Sequence, residues 1–418
     1  MRRHLAFCAA ATMALLAVLA FAGVAEAAIT RPNVLDRRVT ALSAEALMQR
    51  PAIALVDRER QAAAARRVHW TTIGWILAPI FEAIALLYLW SSGGAAVLRD
   101  RLRRRVRSPW SVRFCYGAAL ALAARVAALL PAFYLYRVDR TLQLTPMLTR
   151  TWGLFWIFHT FVAMVVAGII AAVVLWLVDR THQWYVYTIA AILAVSVGWG
   201  YASPYVQTPL RSAKILDGPI AADMVGLLQR AGFAPLPIFE SRRESPIGDV
   251  TVLPAGPARR MILSHATVAA DTPPEVAFRA AYALAGIAHG DAVSIALIEG
   301  GTIVVFAALA IALADRVRFR RDDDPLSRLA LVGALFALVY LVAVPVRNAA
   351  LRPYVFDADR YAVALGGDPA AAVRALVREA DQRMEQVCPD GSALLFLSDS
   401  PGIGARVEAI NHVPSRCP

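Results

Sequence analysis

Long apolar stretches alternate along this chain with strongly polar connections. Six of them, Thr71–Trp90, Phe114–Tyr136, Trp152–Val178, Trp184–Ala202, Val293–Ala314 and Leu329–Val346, are each near the ~20 apolar residues that cross a bilayer as a helix. Trp90, Trp152 and Trp184 stand at span ends, where amphipathic rings favour the membrane–water interface. Ahead of the spans, residues 1–27 combine Arg2 and Arg3, an apolar stretch from Leu5 to Val24 and the small-x-small run Ala25-Glu26-Ala27. That is the pattern of a secretory signal peptide, with an uncleaved first membrane helix as the alternative. Residues 28–70 are polar, rich in Arg and Ala, and read as an exported helical segment with nothing that suggests catalysis.

The intervening polar parts carry their own periodicity. Asp217–Phe233 is amphipathic at helical spacing. Pro273–Asp291 opens with Asp271 or Thr272 as N-cap, Pro273 and Pro274 in the first turn and Glu275 at the positive helix end, then continues Ala-rich. The expected organisation is a four-span membrane domain (71–202), the first part of an extramembrane lobe (203–291), a two-span hairpin (292–347) and the second part of the lobe (348–418). The fold class is mainly α: a polytopic membrane helix bundle with a small α+β lobe.

Composition agrees. Of 418 residues 58% are hydrophobic, and a mean hydropathy of +0.53 is too high for an ordinary soluble domain. The net charge of +12 does not point to nucleic acid, because the arginines cluster between spans. Seven lie in Arg99–Arg113 and five in Asp315–Arg328. An even number of crossings separates these loops, so both satisfy the positive-inside rule together. That assignment sends Ser203–Gly290 and Arg347–Pro418 to the periplasmic side of a bacterial-type inner membrane.

Cysteines and buried charges add detail. Cys8 falls in the signal and Cys115 in a span, whereas Cys388 and Cys417 share the last polar segment. In an oxidising compartment those two would pair; in a cytoplasmic domain they would stay free thiols. Glu82 and Arg125 lie deep in the first and second spans, where charge is costly unless paired, so a mutual ion pair is expected. His159 and Glu299 are further polar points within spans.

The helix Pro273–Asp291 resembles one in the integral-membrane zinc metalloproteases of the CAAX prenyl protease and HtpX type, which belong to the gluzincins. Those proteins carry H-E-x-x-H there, the two His binding zinc and the Glu serving as base for its water. Here the first His position is Tyr282, the Glu position is Ala283 and the second His position is Gly286, while His289, Gly290 and Asp291 match the tail of the motif. The likeness continues through Pro237-Ile238-Phe239 as a strand, Ser241-Arg242-Arg243 as a turn, Asp249–Pro254 as the edge strand lying along bound peptide, and Arg259–Leu263 as the strand before the zinc helix. Asp249-Val250 replaces an Asn-Ala at the start of that edge strand. Tyr354–Leu365 is similar to the family's E-x-x-A-D helix, keeping Ala358 and Asp359 but with Val355 at the third zinc-ligand position. Asp399–Ile410 resembles the H-P-x-x-x-x-R-[IV] stretch, keeping Pro401 and Arg406 but with Ser400 at the His position.

The resemblance thus covers about Asp217–Ile410 and implies a membrane-metalloprotease framework without its chemistry. Zinc needs about three His, Cys or carboxylate ligands plus a water, and the matched positions supply none, so no cofactor is expected. Of the neighbouring metal-binding types, His289, His265, Asp291 and Asp357 have ordinary interfacial or surface readings, and Asp359 reads as a structural partner for Arg360 or Arg406. Three functions follow. The first is a non-catalytic pseudoprotease keeping a cleft for a peptide or membrane-protein partner. The second is an active zinc metalloendopeptidase with displaced ligands, and the third a polytopic structural or transport protein. The bilayer is a partner in all three.

Overall fold

The computed structural model describes residues 41–142, 144, 145, 147–207, 213–241, 247–254, 259–317 and 324–417. The signal segment and the start of the exported segment lie outside them. In chain order the elements open with α1 (Ala44–Gln49), α2 (Ala52–Leu55), α3 (Arg58–Ser91), α4 (Gly94–Arg105), α5 (Pro109–Ala127), α6 (Leu129–Thr141), α7 (Thr149–Arg180) and α8 (Trp184–Gln207). Next come β1 (Ala213–Ile215), α9 (Pro219–Arg230), β2 (Ile238–Ser241), β3 (Val250–Leu253), β4 (Arg260–Leu263) and α10 (His265–Ala270). The chain finishes with α11 (Pro273–His289), α12 (Asp291–Arg316), α13 (Pro325–Gly366), α14 (Pro369–Arg383), α15 (Gly391–Leu397) and α16 (Ile403–Asn411).

Among the described residues five of these helices are long and apolar enough to span a membrane, and α5 with α6, a pair bent by 47°, meets the same measure when taken together. The chain is a multi-pass membrane protein. Each apolar stretch in the sequence corresponds to one of these. The bend follows from Pro131, which has no N–H for the carbonyl of Ala127 and whose ring crowds that carbonyl.

Contacts divide the chain into two units. The first holds Trp70–Ala194 and Gly300–Val346. Inside it Ala83, Leu86, Tyr116, Leu120, Leu175, Ala330 and Ala334 form a buried cluster, and Arg99 binds Asp324 at 2.9 Å. Large apolar residues such as Leu154, Phe158, Phe161 and Ile170 stay exposed on α7, as a lipid-facing surface requires. Helices α5 and α7 approach through glycine. A Cβ on Gly117 would lie 2.6 Å from both Ala167 O and Ala171 Cβ, and one on Gly168 would meet Phe114 at 2.8 Å. Small residues allow such contact where no hydrophobic force acts between helices in lipid. Gly117→Val is therefore expected to cost about 1–3 kcal/mol of stability. A lower midpoint of thermal unfolding in detergent checks this; an unchanged midpoint would mean the two helices separate freely.

Glu82 and Arg125 both belong to this unit; among the described residues no hydrogen bond or ion pair within 4 Å joins them, while the Arg125 charge still acts on Glu82. Arg125 Nε is buried without a hydrogen-bond partner.

The second unit holds residues 41–69, Val195–Glu299 and Arg347–Pro418. It contains a four-stranded sheet in the order β1-β2-β4-β3. The outer pairs are antiparallel and the central pair β2–β4 is parallel, with Ile238 opposite Met261. Nothing in the residue pattern marks β1 in advance. Met224, Leu227 and Leu228 of α9, Met261 and Leu263 of β4, Val276 and Leu284 of α11, Leu376 and Val377 of α14, and Val407 of α16 build one apolar core. The stretch Tyr354–Leu365 is the last part of the 42-residue α13.

Residues 41–69 are stitched to this core. Arg60 donates to Asp381 O at 3.0 Å, Gln61 to Glu385 O at 3.2 Å and Arg67 to Arg383 O at 3.1 Å. These carbonyls lie in the last turn of α14 and just past it, where the helical hydrogen-bond ladder runs out. Asn411 of α16 likewise donates to Leu47 O and Arg50 O, both at 3.1 Å.

Candidate functional site

Helix α11 begins where the sequence provides for it. Thr272 N–H donates to Glu275 Oε2 at 2.8 Å, Pro273 takes the first helical position, and Gly290 ends the helix at φ +71°, a left-handed turn that glycine makes at no cost. Glu275 does more than cap. Its carboxylate is fully buried, with Arg378 of α14 at 3.4 Å. Arg378 also reaches Asp271 at 3.1 Å, and Asp271 accepts from Arg279 Nε at 2.8 Å. This buried chain of alternating charge locks α14 against the first turns of α11. Burial raises the Glu275 pKa, and the Thr272 N–H and Arg378 pull it back only in part.

A cleft of about 170 Å³ lies in this unit. Gly248, Asp249 and Val250 line it from the start of β3, Phe278, Arg279 and Tyr282 from α11, Glu379 and Arg383 from α14, Ser400 from the loop before α16, and Arg406 from α16. Gly248 is fixed from both sides, its N–H donating to Gln382 Oε1 at 2.8 Å and its carbonyl accepting from Arg279 at 3.3 Å. Strand β3 is an edge of the sheet. Ser264 N–H donates to Asp249 O at 2.9 Å, and Val250 stands opposite Leu263. Antiparallel pairs alternate between hydrogen-bonded and not, so the backbone N–H and C=O of Val250 and Val252 point away from β4.

Across the cleft, Arg406 binds Asp359 through two parallel hydrogen bonds of 2.8 and 2.7 Å. Its guanidinium carbon lies 5.1 Å from the centre of the Tyr282 ring, within cation–π range. Burial disfavours the Arg406 charge, yet the Asp359 bonds outweigh it and the pKa rises. Tyr282 is pushed up to about 12, chiefly by burial, with Arg406 acting in the opposite sense. At neutral pH this is a neutral phenol beside a fixed cation. Glu379 sits between two more guanidiniums, 3.1 Å from Arg383 and 3.6 Å from Arg279.

The cleft brings together Tyr282, Ser400 and Arg406, with Asp359 behind Arg406. Ala283 packs against the apolar core, and Gly286 faces open space, with nothing within 4 Å of where its Cβ would be. Val355 is half-buried on α13 and does not line the cleft. His289 and Asp291 lie at the junction of α11 and α12, 3.8 Å apart, with the His289 ring edge-on to Tyr361 at 5.3 Å. They too stand outside the cleft lining. Cys388 and Cys417 form a disulfide with Cα atoms 5.2 Å apart.

The residues at the motif positions do not fit zinc. A neutral phenol, a methyl group, a glycine and a valine offer no His, thiolate or carboxylate donor. Among the described residues no three His, Cys, Asp or Glu side chains converge as a metal site. Sequence reasoning missed Arg279, Glu379 and Arg383. Their only local signals are the four-residue spacings of Glu275 with Arg279 and Glu379 with Arg383, which look like ordinary helix-surface pairs.

No protein-family model matches this sequence, and no curated protein matches it either. Among solved structures it is similar to the crystal structure of S. mikatae Ste24p, with a TM-score of 0.64 and 14% sequence identity over 95% of this chain and 98% of that one. At that identity the likeness is one of fold. It extends over the span-forming helices and the lobe alike.

Proposed function

We propose that this chain is a membrane-embedded pseudoprotease: a metalloprotease-type scaffold that binds a peptide or membrane-protein segment in its cleft without zinc-dependent cleavage. The whole-chain fold likeness to Ste24p supports the scaffold. The observation that carries the loss of chemistry is Tyr282, a buried neutral phenol at the first ligand position with its ring packed against the Arg406 guanidinium. Neither it nor Ala283, Gly286 and Val355 at the other matched positions offers a zinc ligand or a base. What the cleft retains is the means to hold an extended chain. The outward N–H and C=O groups of β3 can pair with an added strand, and Gly248, tied down by Gln382 and Arg279, keeps that edge fixed.

The Arg-rich loops and the Cys388–Cys417 disulfide both favour a periplasmic lobe in a bacterial-type inner membrane. A reporter active only in the periplasm, fused after the last residue, is expected to report export. Activity of a cytoplasmic reporter at the same place would overturn that topology.

Elemental analysis of the purified protein is expected to find well under one zinc per chain, and casein or model-peptide cleavage no greater without chelator than with it. Near-stoichiometric zinc that is lost on His289→Ala, with chelator-sensitive cleavage, would instead establish a metallopeptidase with displaced ligands.

A further inference from the structure

Helix α4 joins the end of the span-forming α3 to the start of α5, within a short connection of the bilayer on both sides. Ala95, Leu98, Leu102 and Val106 recur at helical spacing and pack into the buried cluster of the first unit. The opposite side carries Val97, Arg101, Arg104 and Arg105, all exposed, with Arg107 and Trp110 exposed just beyond. The nearby carboxylates are already engaged: Asp100 by Arg99, Asp324 by Arg99 and Arg103, and Asp179 by Arg113. Among the described residues no hydrogen bond or ion pair within 4 Å holds Arg101, Arg104, Arg105 or Arg107. Residues 94–113 hold seven Arg to one Asp, and the loop Asp315–Arg328, which supplies Asp324, five Arg to four Asp. Every charged stretch outside the described residues also has more Arg than acidic side chains, so none of them brings a net negative charge to this surface. A second feature stands among the arginines. Val97 is 51% exposed and the Trp110 ring 45%, apolar groups beside a cationic face at the end of a span.

We propose that the surface formed by α4 and the start of α5 binds anionic phospholipid, with Arg101, Arg104, Arg105 and Arg107 on the headgroup phosphates and Val97 and Trp110 in the interface beneath them. Such a lipid supplies both halves of the match. The planar guanidinium takes phosphate oxygens through paired hydrogen bonds, and an amphipathic indole favours the boundary between headgroup and acyl chain. A zwitterionic headgroup carries its own cation to the same phosphate, so the surface discriminates by net lipid charge. The proposal is independent of what the cleft in the second unit binds.

The test uses the full-length protein in phosphatidylcholine bilayers that contain brominated phosphatidylglycerol or, at equal mole fraction, brominated phosphatidylcholine, whose bromines quench nearby tryptophan. Brominated phosphatidylglycerol is expected to quench more. Its apparent affinity should fall about fivefold for each of Arg101→Gln, Arg104→Gln, Arg105→Gln and Arg107→Gln, the scale of one arginine at a charged membrane surface. The four changes combined should abolish the preference, and Lys at the same four positions should keep most of it. Trp110→Phe should remove most of the excess quenching, and about 0.5 M salt should shrink it through screening. The four side chains are exposed, so the combined variant should keep the wild-type thermal midpoint in phosphatidylcholine. Equal quenching by the two brominated lipids would overturn the proposal. If a polyglutamate peptide then bound the wild-type protein but not the combined variant, the surface would belong to an acidic protein segment instead. A phosphatidylglycerol preference that persists in the combined variant would remove the role from α4.

Discussion

Asp359→Ala is expected to lower the stability of the lobe by about 3–5 kcal/mol, because it leaves a buried guanidinium without its counter-charge. The Asp359 side chain is 2% exposed and that of Arg406 7%, so solvent cannot replace the two hydrogen bonds that are lost. The effect should reach the cleft, since Arg406 is held over Tyr282 by that carboxylate. Denaturant unfolding followed by Tyr and Trp fluorescence gives the magnitude. Removing both partners should do less harm than removing one: Asp359→Leu with Arg406→Met leaves no orphaned charge, and replacing a buried pair by apolar groups is often nearly neutral. A loss below about 1 kcal/mol for Asp359→Ala would place the pair at the scale of a hydrated surface bridge.

The second large effect belongs to the disulfide. Cys388 and Cys417 are 29 residues apart, and closing a loop of that length removes unfolded-state entropy worth about 3.5 kcal/mol at 25 °C in the chain-entropy account. The bond joins the turn after α14 to the tail after α16. A Cβ on Gly404, in the first turn of α16, would meet both Cys417 Sγ and Val387 O at 2.9 Å, so the tail is packed close against the helix that carries Arg406. Cys388→Ser, Cys417→Ser and the double variant should all lose stability alike, and reductant should bring the wild-type protein to the same midpoint. Free-thiol labelling of both residues in protein taken from its membrane without reductant would refute the pairing.

The membrane part of this fold was legible because hydropathy is a local property. Each span announces itself over about 20 residues, whatever its neighbours do. Helix ends were less legible. Arg347 marks where the apolar character of α13 stops, but no Gly follows to end the helix, and it runs on to Gly366. Pairing between helices was not legible at all. Gly117 and Gly168 let α5 and α7 approach closely, and no spacing in the sequence singles those two glycines out. At the cleft, Tyr282, Ser400 and Arg406 could be named only through the family resemblance, position by position. Arg279, Glu379 and Arg383 escaped because their meaning is long-range: Arg279 binds Ala375 O, 96 residues on, and Gly248 binds Gln382, 134 residues on. No local spacing encodes such partners. Their chemistry is visible only after the chain has closed.

The stitching of residues 41–69 to the end of α14 sets a timetable for synthesis. The carbonyls that receive Arg60 and Gln61 lie 321 and 324 residues further along the chain, and Asn411, which holds the carbonyl of Leu47, follows it by 364. At translation rates of about 5–20 residues per second, the first part of the lobe waits tens of seconds for the part that completes it. The spans among the described residues are made in that interval. The apolar side chains of Leu47 and Leu55 must be shielded meanwhile by something other than their final neighbours, so chaperone capture of a nascent chain halted before α14 would show residues 41–69 as the contact.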